Sequence, residues 1–203
     1  MKSLTRYIQE KLVIKKGNNL FDYKYFPETK EELKYLIKQR IKTEGKEVDL
    51  NNIDTSNITD MSSLFVGMNF KGDISNWDVS NVTDMSFMFF GCLNCNQNIS
   101  KWDVSNVTNM KAMFYGAKFF NRDISHWNVS NVENMSYMFN RCKSFNQDLS
   151  AWDVSNVTNM NYMFAECSSF NQDLSAWEIS KETDTSFMFE DCPLQEKYRP
   201  KFK

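Results

Sequence analysis

The sequence has little of what catalysis and metal binding usually require. It contains one histidine, His126, among 203 residues, so a zinc site built on imidazoles or a histidine general base has almost nothing to draw on. No G-x-S-x-G segment and no glycine-rich phosphate-binding loop occurs among its six glycines. We therefore expect a protein that is not an enzyme and that has no cofactor.

Long apolar runs are also missing. The first sixteen residues carry a charge every few positions and contain no apolar stretch that could act as a secretory signal. No segment is long enough to cross a membrane. We expect no membrane span and, for the sequence as written, a cytoplasmic location.

Positive charge is scarce in the middle of the chain. Residues 1–48 carry a net charge of +5, residues 49–192 carry −10 and residues 193–203 carry +3. A phosphate backbone needs a stripe of lysine and arginine to bind it. We therefore expect no nucleic acid to lie along the acidic central segment.

What the sequence does contain is a repeat. All of its tryptophans are 25 residues apart, namely Trp77, Trp102, Trp127, Trp152 and Trp177. A fixed period of 20 to 50 residues is typical of repeat architectures. Alignment of the flanking segments gives six copies, which start near residues 49, 73, 98, 123, 148 and 173, and the first copy is one residue shorter than the others.

Each copy changes its hydrophobic period half-way. In the fifth copy, residues 149–157 favour a short extended segment. The following Met160, Met163 and Phe164 are spaced i, i+3, i+4, which favours a short helix. Stacked copies would place the tryptophans, methionines and phenylalanines in columns about 4.8 Å apart. We therefore predict an α/β solenoid of six coils, each with a short parallel strand and a short helix.

The two ends depart from the repeat in ways that suit caps. Residues 4–14 favour an amphipathic helix, which either packs on the first coil or acts as a detachable docking tag. A second helix is predicted from the Thr29 and Glu32 capping box to a stop at Gly45. We divide the chain into an N-terminal helical cap at 1–48, a repeat solenoid at 49–192 and a C-terminal tail at 193–203. In the last copy Glu182 and Thr185 replace valine and methionine, as expected of a terminal repeat.

Cys92 and Cys95 form a C-x-x-C pair, which in isolation suggests zinc or a redox pair. The repeat offers another explanation, because Cys92 shares a column with Cys142, Cys167 and Cys192. We expect buried free thiols at these positions, while an oxidising compartment could link neighbouring members of the column.

Acidic residues also recur in columns. One column contains Asp73, Asn98, Asp123, Asp148 and Asp173, and a second contains Asp78, Asp103, Asn128, Asp153 and Glu178. Closely spaced carboxylates suggest a calcium site. The exchange of aspartate for asparagine favours instead an acceptor for backbone N–H groups within turns.

Recognition of a partner is expected where the copies differ. One variable column precedes each tryptophan and includes Lys101 and His126. A second column lies two residues after a methionine and includes Phe87, Tyr137, Tyr162 and Phe187. At helical pitch its side chains point about 200° away from the methionine. We predict that these six residues bind a protein partner, with the alternative that the rings only cover the neighbouring copy.

The repeated Trp-Asp-Val-Ser-Asn-Val-Thr-Asn-Met-x-x-Met-Phe, followed by Cys and by Phe-Asn-Gln-Asp-Leu-Ser, resembles the BspA-type leucine-rich repeat proteins. More specifically, it resembles the repeat of bacterial surface proteins and mycoplasma lipoprotein-associated proteins, and the resemblance covers residues 49–192. It implies a right-handed, leucine-rich-repeat-like solenoid that acts in adhesion or protein binding, and it leaves a cell-surface location open.

Three functions are consistent with these observations. The first is a non-enzymatic scaffold that binds a protein partner of unknown identity as a monomer. The second is a bacterial surface adhesin or host-interaction protein. The third is a structural or assembly component docked by its N-terminal helix.

Overall fold

A computed structural model describes residues 24–203. Its regular elements are few: helix α1 at Lys30–Glu44, strand β1 at Glu178–Ile179, a 3-10 helix at Glu196–Tyr198 and strand β2 at Lys201–Phe202. The two strands pair in parallel, with Glu178 opposite Lys201 and Ile179 opposite Phe202. No helix within the described residues is long and apolar enough to cross a membrane. The helix predicted at residues 4–14 lies outside the described part of the chain.

Helix α1 begins and ends where its sequence predicts. The Thr29 hydroxyl accepts a hydrogen bond from the Glu32 N–H at 3.2 Å, which satisfies one of the free donors of the first turn. At the other end Gly45 has a φ of 95° and donates its N–H to the Ile41 carbonyl at 3.0 Å. Leu33 and Ile37 are fully buried in the same hydrophobic core as the copies, so the helix covers the first copy.

Arg40 fixes α1 to the start of the first copy. Its guanidinium is mostly buried, pairs with Glu44 and donates to the Asn52 side-chain oxygen at 2.8 Å. It also donates to the Asp49 carbonyl at 3.2 Å and lies 5.1 Å from the centre of the Tyr25 ring. A charged group can be buried in this way because each of its three nitrogen atoms donates to an acceptor.

The six copies lie against one another in sequence order. In each contact, alternate backbone N–H groups of one copy donate to carbonyls of the next. In the third copy, for example, the Met110 N–H bonds the Asn134 carbonyl at 2.9 Å and the Ala112 N–H bonds the Ser136 carbonyl at 2.8 Å. We call the segment that makes these bonds the strip; in the fifth copy it is Met160–Glu166. Parallel bridges at the start of successive strips continue this pairing from Asp60 to Asp184.

The short helix predicted in each copy is not what the strip adopts. In a helix all of these N–H groups would bond carbonyls of the same helix, but here alternate N–H groups donate to the next copy. The N–H groups between them bond the carbonyl three residues earlier, as from Met163 to Met160 at 3.1 Å. Each strip also has a residue with positive φ two places after its first methionine, such as Tyr162 at 55°. The i, i+3, i+4 spacing of buried residues is the same in this turn structure as in a helix, so the pattern does not distinguish them.

The columns predicted from the alignment are present in the core. Trp77 and Trp102 lie 6.4 Å apart with ring planes at 1°, and each tryptophan is almost fully buried. Each indole N–H donates to a carbonyl of the preceding copy, as from Trp127 to Ile99 at 3.2 Å. The five contacts along the phenylalanine column have ring centroids 5.3–5.7 Å apart. The core is therefore a set of ring stacks that run through all the copies.

The last copy differs from its prediction by one residue. Glu182 is exposed, and Thr183 is the buried residue where earlier copies have a valine. The Thr183 hydroxyl donates to the Val157 carbonyl at 2.8 Å, so this polar side chain is satisfied in the core. Thr183 therefore takes the place that an alignment with a fixed period of 25 residues assigns to Glu182. Such a local shift of one residue is not visible in that alignment.

We predict that Trp127→Ala lowers the free energy of unfolding by about 3–5 kcal/mol. The substitution leaves a cavity in the middle of the stack and removes the indole bond to Ile99. Chemical denaturation followed by circular dichroism measures the change. The exposed neighbour His126 supplies the control, since His126→Ala should change stability by less than about 0.5 kcal/mol. An unchanged midpoint for Trp127→Ala would contradict the stacked core.

Candidate functional site

Six aromatic side chains form one line across the copies, which we call the aromatic ridge. Its members, in order along the ridge, are Phe87, Phe90, Tyr115, Tyr137, Tyr162 and Phe187. Tyr137 and Tyr162 lie 4.9 Å apart with ring planes at 10°, and Tyr162 and Phe187 lie 4.9 Å apart at 18°. The first five rings are half-buried, and Phe187 is 58% exposed.

The ridge changes column where the repeat lacks an aromatic residue. In the third copy the position two after the methionine is Ala112, which is buried and has no ring. Tyr115 replaces it from a position three residues further on and stacks on Phe90 at 4.6 Å. It then meets Tyr137 at 6.4 Å and an angle of 48°, so the line of rings is unbroken.

The backbone places these rings. Phe87, Tyr137, Tyr162 and Phe187 all have φ between 55° and 59°, the left-handed region that side chains other than glycine enter at a cost. The conformation recurs at the same place in every strip, which holds the rings in one column. Four of the six residues predicted to bind a partner are therefore brought together by the fold.

Stacking determines what the ridge can contact. Because Tyr137 and Tyr162 face each other and Tyr162 faces Phe187, ring faces within this part of the ridge are already covered. Ring edges and tyrosine hydroxyls remain for a partner, and Phe187 at the end has one free face. Such a surface suits lateral contact with another protein better than the insertion of a flat ligand between rings.

Charged groups flank the ridge. Arg141 lies 5.8 Å from the centre of the Tyr115 ring and pairs with Glu166 at 2.8 Å, and Lys111 lies 5.9 Å from the centre of the Phe87 ring. Packing against its neighbours, with a smaller effect from the Glu190 carboxylate, raises the pKa of the Tyr162 hydroxyl. That hydroxyl is therefore a neutral donor at physiological pH.

The structure does not bring the other two predicted residues to the ridge. Lys101 and His126 are both exposed beside the tryptophan column. Within residues 24–203 no ring contact, cation–ring contact or salt bridge joins either side chain to the ridge. That Lys101 and His126 bind a partner stays a prediction, and it concerns a different surface, the one formed by the residues that precede each tryptophan.

Sequence reasoning missed Phe90, Tyr115 and Arg141. All three lie in columns that vary strongly between copies: Phe90 and Tyr115 align with Asn140, Ala165 and Glu190. Variation was the signal that could have found them. Their contact with Tyr137, however, depends on the distance between two neighbouring columns, which the alignment does not contain.

The acidic columns make turns, as the interpretation based on aspartate and asparagine exchange proposed. The Asp153 carboxylate accepts the Ser155 N–H at 3.0 Å, and the Asn128 side-chain oxygen accepts the Ser130 N–H at 3.1 Å. Hydrogen bonds from the side chain and backbone of Ser155 lower the pKa of Asp153. No group of three or more His, Cys, Asp or Glu side chains in the described residues could hold a metal ion.

A third column of the same kind was not recognised in the sequence. Its members are Asp60, Asp84, Asn109, Asn134, Asn159 and Asp184, each of which bonds the N–H two residues later. These residues immediately precede the strips and form the bridges between copies. Their side chains thus set the turn from which each strip begins.

The expectation of free thiols at Cys92 and Cys95 is wrong, because the two residues form a disulfide with 5.3 Å between their Cα atoms. The two cysteines occupy neighbouring positions of one loop, and their proximity is a property of that loop rather than of the columns. Cys142, Cys167 and Cys192 are free. Burial raises the pKa of Cys142 and of Cys167, so both are protonated and weakly reactive at neutral pH.

Stacked copies with a shared core define a repeat protein, and comparison with known sequences gives its family. Residues 32–139 and residues 92–199 each match the family described as "Mycoplasma protein of unknown function, DUF285", and the chain belongs to that family. The two matches overlap, as expected when one pattern recurs along a chain. No curated protein and no solved structure matches the chain.

We predict that two substitutions at Asp153 differ in their effect on stability. Asp153→Ala removes the acceptor of the Ser155 N–H and should lower the free energy of unfolding by about 1 kcal/mol or less at pH 7. Asp153→Asn keeps the acceptor, as Asn128 does, and should change stability by less than about 0.5 kcal/mol.

The pH dependence separates charge from hydrogen bonding. The lowered pKa of Asp153 in the folded state means that its charge contributes stability above its unfolded pKa of about 3.9. That contribution is lost as the pH falls through the folded value. Thermal unfolding between pH 7 and pH 3 should therefore show a smaller acid loss for Asp153→Asn than for the native protein. Equal acid loss in the two proteins would contradict this assignment.

Proposed function

We propose that this protein is a non-enzymatic scaffold that binds a protein partner. Its copies form a right-handed, leucine-rich-repeat-like solenoid of the BspA type, and the aromatic ridge is the contact surface. The observation that carries the proposal is the continuity of the ridge across five copies. Rings that only protected their own copy would not need to meet those of the next.

Physical features of the ridge support a protein partner. Tyrosine is enriched where proteins meet because one end of its side chain is apolar and the other forms hydrogen bonds. Here the tyrosines are held rigidly by their neighbours at 4.9 Å, so little side-chain entropy is lost on binding. Arg141 and Glu166 beside the rings supply the polar rim that such interfaces have.

The disulfide supports a second candidate, an exported adhesin. Disulfides persist in oxidising compartments and are rare in the cytosol, so the bond between Cys92 and Cys95 favours a chain that functions outside it. The adhesin would use the same ridge, and only the place of action and the partner would differ.

We predict that a double variant, Tyr137→Ala with Tyr162→Ala, loses partner binding while it stays folded. Alanine is suited to this backbone position, because Ala112 occupies it in the third copy with a φ of 51°. Affinity capture from host-cell and source-cell lysates, quantified by mass spectrometry against the native protein, should show at least about a tenfold loss of specific partners.

A matched control removes side chains outside the ridge. Lys101→Ala with His126→Ala takes away two exposed side chains and should retain the partners if the ridge alone binds them. Thermal melts verify that both double variants are folded. Retention of every partner by the tyrosine variant would count against the ridge, and loss by the control would assign binding to the surface before the tryptophans.

Thiol counting tests the exported alternative. We predict that protein alkylated at the moment of cell lysis, then unfolded and analysed by mass spectrometry, carries label on Cys142, Cys167 and Cys192 but not on Cys92 or Cys95. Cell fractionation of the same sample should place that protein outside the cytosol. Label on all five cysteines in native cells would contradict the adhesin and leave the ridge unaffected.

A further inference from the structure

The strip of the last copy, Thr185–Asp191, has an edge whose backbone donors are unpaired in the described residues. In the five contacts between copies, four N–H groups of each strip donate to the next copy; in the fifth strip these are Met160, Tyr162, Phe164 and Glu166, with distances of 2.7–2.9 Å. The equivalent donors in the last strip are Thr185, Phe187, Phe189 and Asp191. None of these four N–H groups has a hydrogen-bond partner within residues 24–203. We call this row the open edge.

The C-terminal tail covers only part of this end. The Lys201 N–H donates to the Trp177 carbonyl at 3.1 Å and the Lys203 N–H to the Ile179 carbonyl at 2.9 Å. The tail thereby occupies the place of a following copy beside the last tryptophan. It accepts no hydrogen bond from the four strip donors, although the Arg199 guanidinium lies 5.7 Å from the centre of the Phe189 ring.

Apolar surface accompanies the unpaired donors. Phe187 is 58% exposed and stacks on Tyr162 with one face only, and Phe189 stacks on Phe164 at 5.7 Å. A cavity of about 450 Å³ lies between the strip and the tail, and its lining includes Phe187, Phe189 and Phe202. A surface that binds an extended chain needs unpaired main-chain groups for hydrogen bonds and apolar surface for the side chains. The open edge has both.

We propose that the open edge binds an extended segment of a partner protein by main-chain hydrogen bonds, end-on to the stack. The segment would supply carbonyls from alternate residues to Thr185, Phe187, Phe189 and Asp191. The five contacts between copies serve as the template for this occupant. In each of them the equivalent N–H donors bind the carbonyls of the neighbouring copy, and the open edge presents the same row of donors. This mode of binding shares Phe187 with the aromatic ridge but uses main-chain donors, and it stands whether or not the ridge binds.

Side chains and charge define the occupant further. In the internal contacts the bound strip places apolar residues over the rings, as Met163 and Phe164 do, and both are fully buried. Three acidic residues, Asp184, Glu190 and Asp191, surround the edge, and Arg199 alone of the cavity lining is basic. A segment with methionine or aromatic side chains and no acidic residues is therefore the best fit.

A second molecule of this protein fits the open edge less well than a partner segment does. At its first strip, the carbonyls of Asp60, Ser62, Leu64 and Val66 have no hydrogen-bond partner within residues 24–203 and are complementary to the open edge. Helix α1 lies at that end, however, with Leu33 and Ile37 buried against the copies, and Lys30 donates to the side-chain oxygens of Asp60 and Ser62 at 2.7 Å. Head-to-tail stacking would require α1 to leave its core.

The test uses the full chain and a peptide with the sequence of residues 158–165, acetylated and amidated at its ends. This peptide carries the carbonyls that the fourth strip binds, those of Asn159, Asn161, Met163 and Ala165. In the free protein, amide exchange measured by NMR should be at least about tenfold faster at the open edge than at the four donors of the fifth strip. Peptide at about 1 mM should slow exchange at the open edge and shift those resonances.

Two controls make the result specific. A peptide with asparagine in place of Met160, Met163 and Phe164 keeps the carbonyls and should bind at least about tenfold more weakly. In the protein, Phe187→Asn removes an exposed ring and should weaken binding. Asparagine accepts a positive φ, so the backbone of the strip should be retained. The matched variant Phe119→Asn changes another exposed ring and should bind as the native protein does.

Three results would overturn the proposal. The first is slow exchange at the open edge of a monomer without peptide. The second is peptide-induced shifts only elsewhere, for example at Tyr137 and Tyr162, which would support the ridge and not the edge. The third is protection that grows with protein concentration together with a dimer in sedimentation, which would make a second copy the occupant.

Discussion

Each copy depends on the next because it cannot satisfy its own backbone. Four N–H groups of each of the first five strips donate across to the following copy, and the indole of each tryptophan donates back to the preceding one. A single copy would leave these donors unpaired and its rings exposed to water, whereas a donor left unpaired inside the stack would cost about 1–3 kcal/mol. Stability therefore belongs to the contacts between copies rather than to any copy alone.

The same constraint explains the strained backbone. A strip that alternates between bonds to the next copy and tight internal turns contains two residues with positive φ, four places apart. The second of these is glycine in three copies, at Gly67, Gly91 and Gly116, but Arg141, Glu166 and Asp191 occupy it later. Non-glycine residues at such positions cost about 1–2 kcal/mol each, and the Arg141–Glu166 ion pair at 2.8 Å offsets part of this cost.

The first of the two strained positions carries most of the aromatic ridge. Because Phe87, Tyr137, Tyr162 and Phe187 share one backbone conformation, their rings project in the same direction from successive copies and meet. The ridge is thus a product of the hydrogen bonding that builds the stack. A change of side chain at this position alters the surface without altering the pairing, as Ala112 demonstrates.

Much of this arrangement could be predicted from the sequence. The period located the columns of Trp127 and Phe164, the capping residues Thr29 and Gly45 located α1, and the exchange of Asp153 for Asn128 revealed the turns. These predictions succeed because each depends on one residue and its repeat. The strip was misread as a helix because buried residues at i, i+3 and i+4 fit either structure. The ridge was only partly recognised because the step from Phe90 through Tyr115 to Tyr137 crosses columns.

The polarity of the hydrogen bonds makes the two ends of the stack chemically different. All strip donors point toward the C-terminal copies, so the first copy presents carbonyls and the last presents N–H groups. The acceptor end is covered by α1, whose Lys30 donates to the Asp60 carboxylate and the Ser62 hydroxyl. Among the described residues, the donor end is contacted by the C-terminal tail on its tryptophan side. Within residues 24–203, a stack built from identical contacts therefore has one end covered by a helix and one end with unpaired N–H donors, and this asymmetry follows from the direction of a single set of hydrogen bonds.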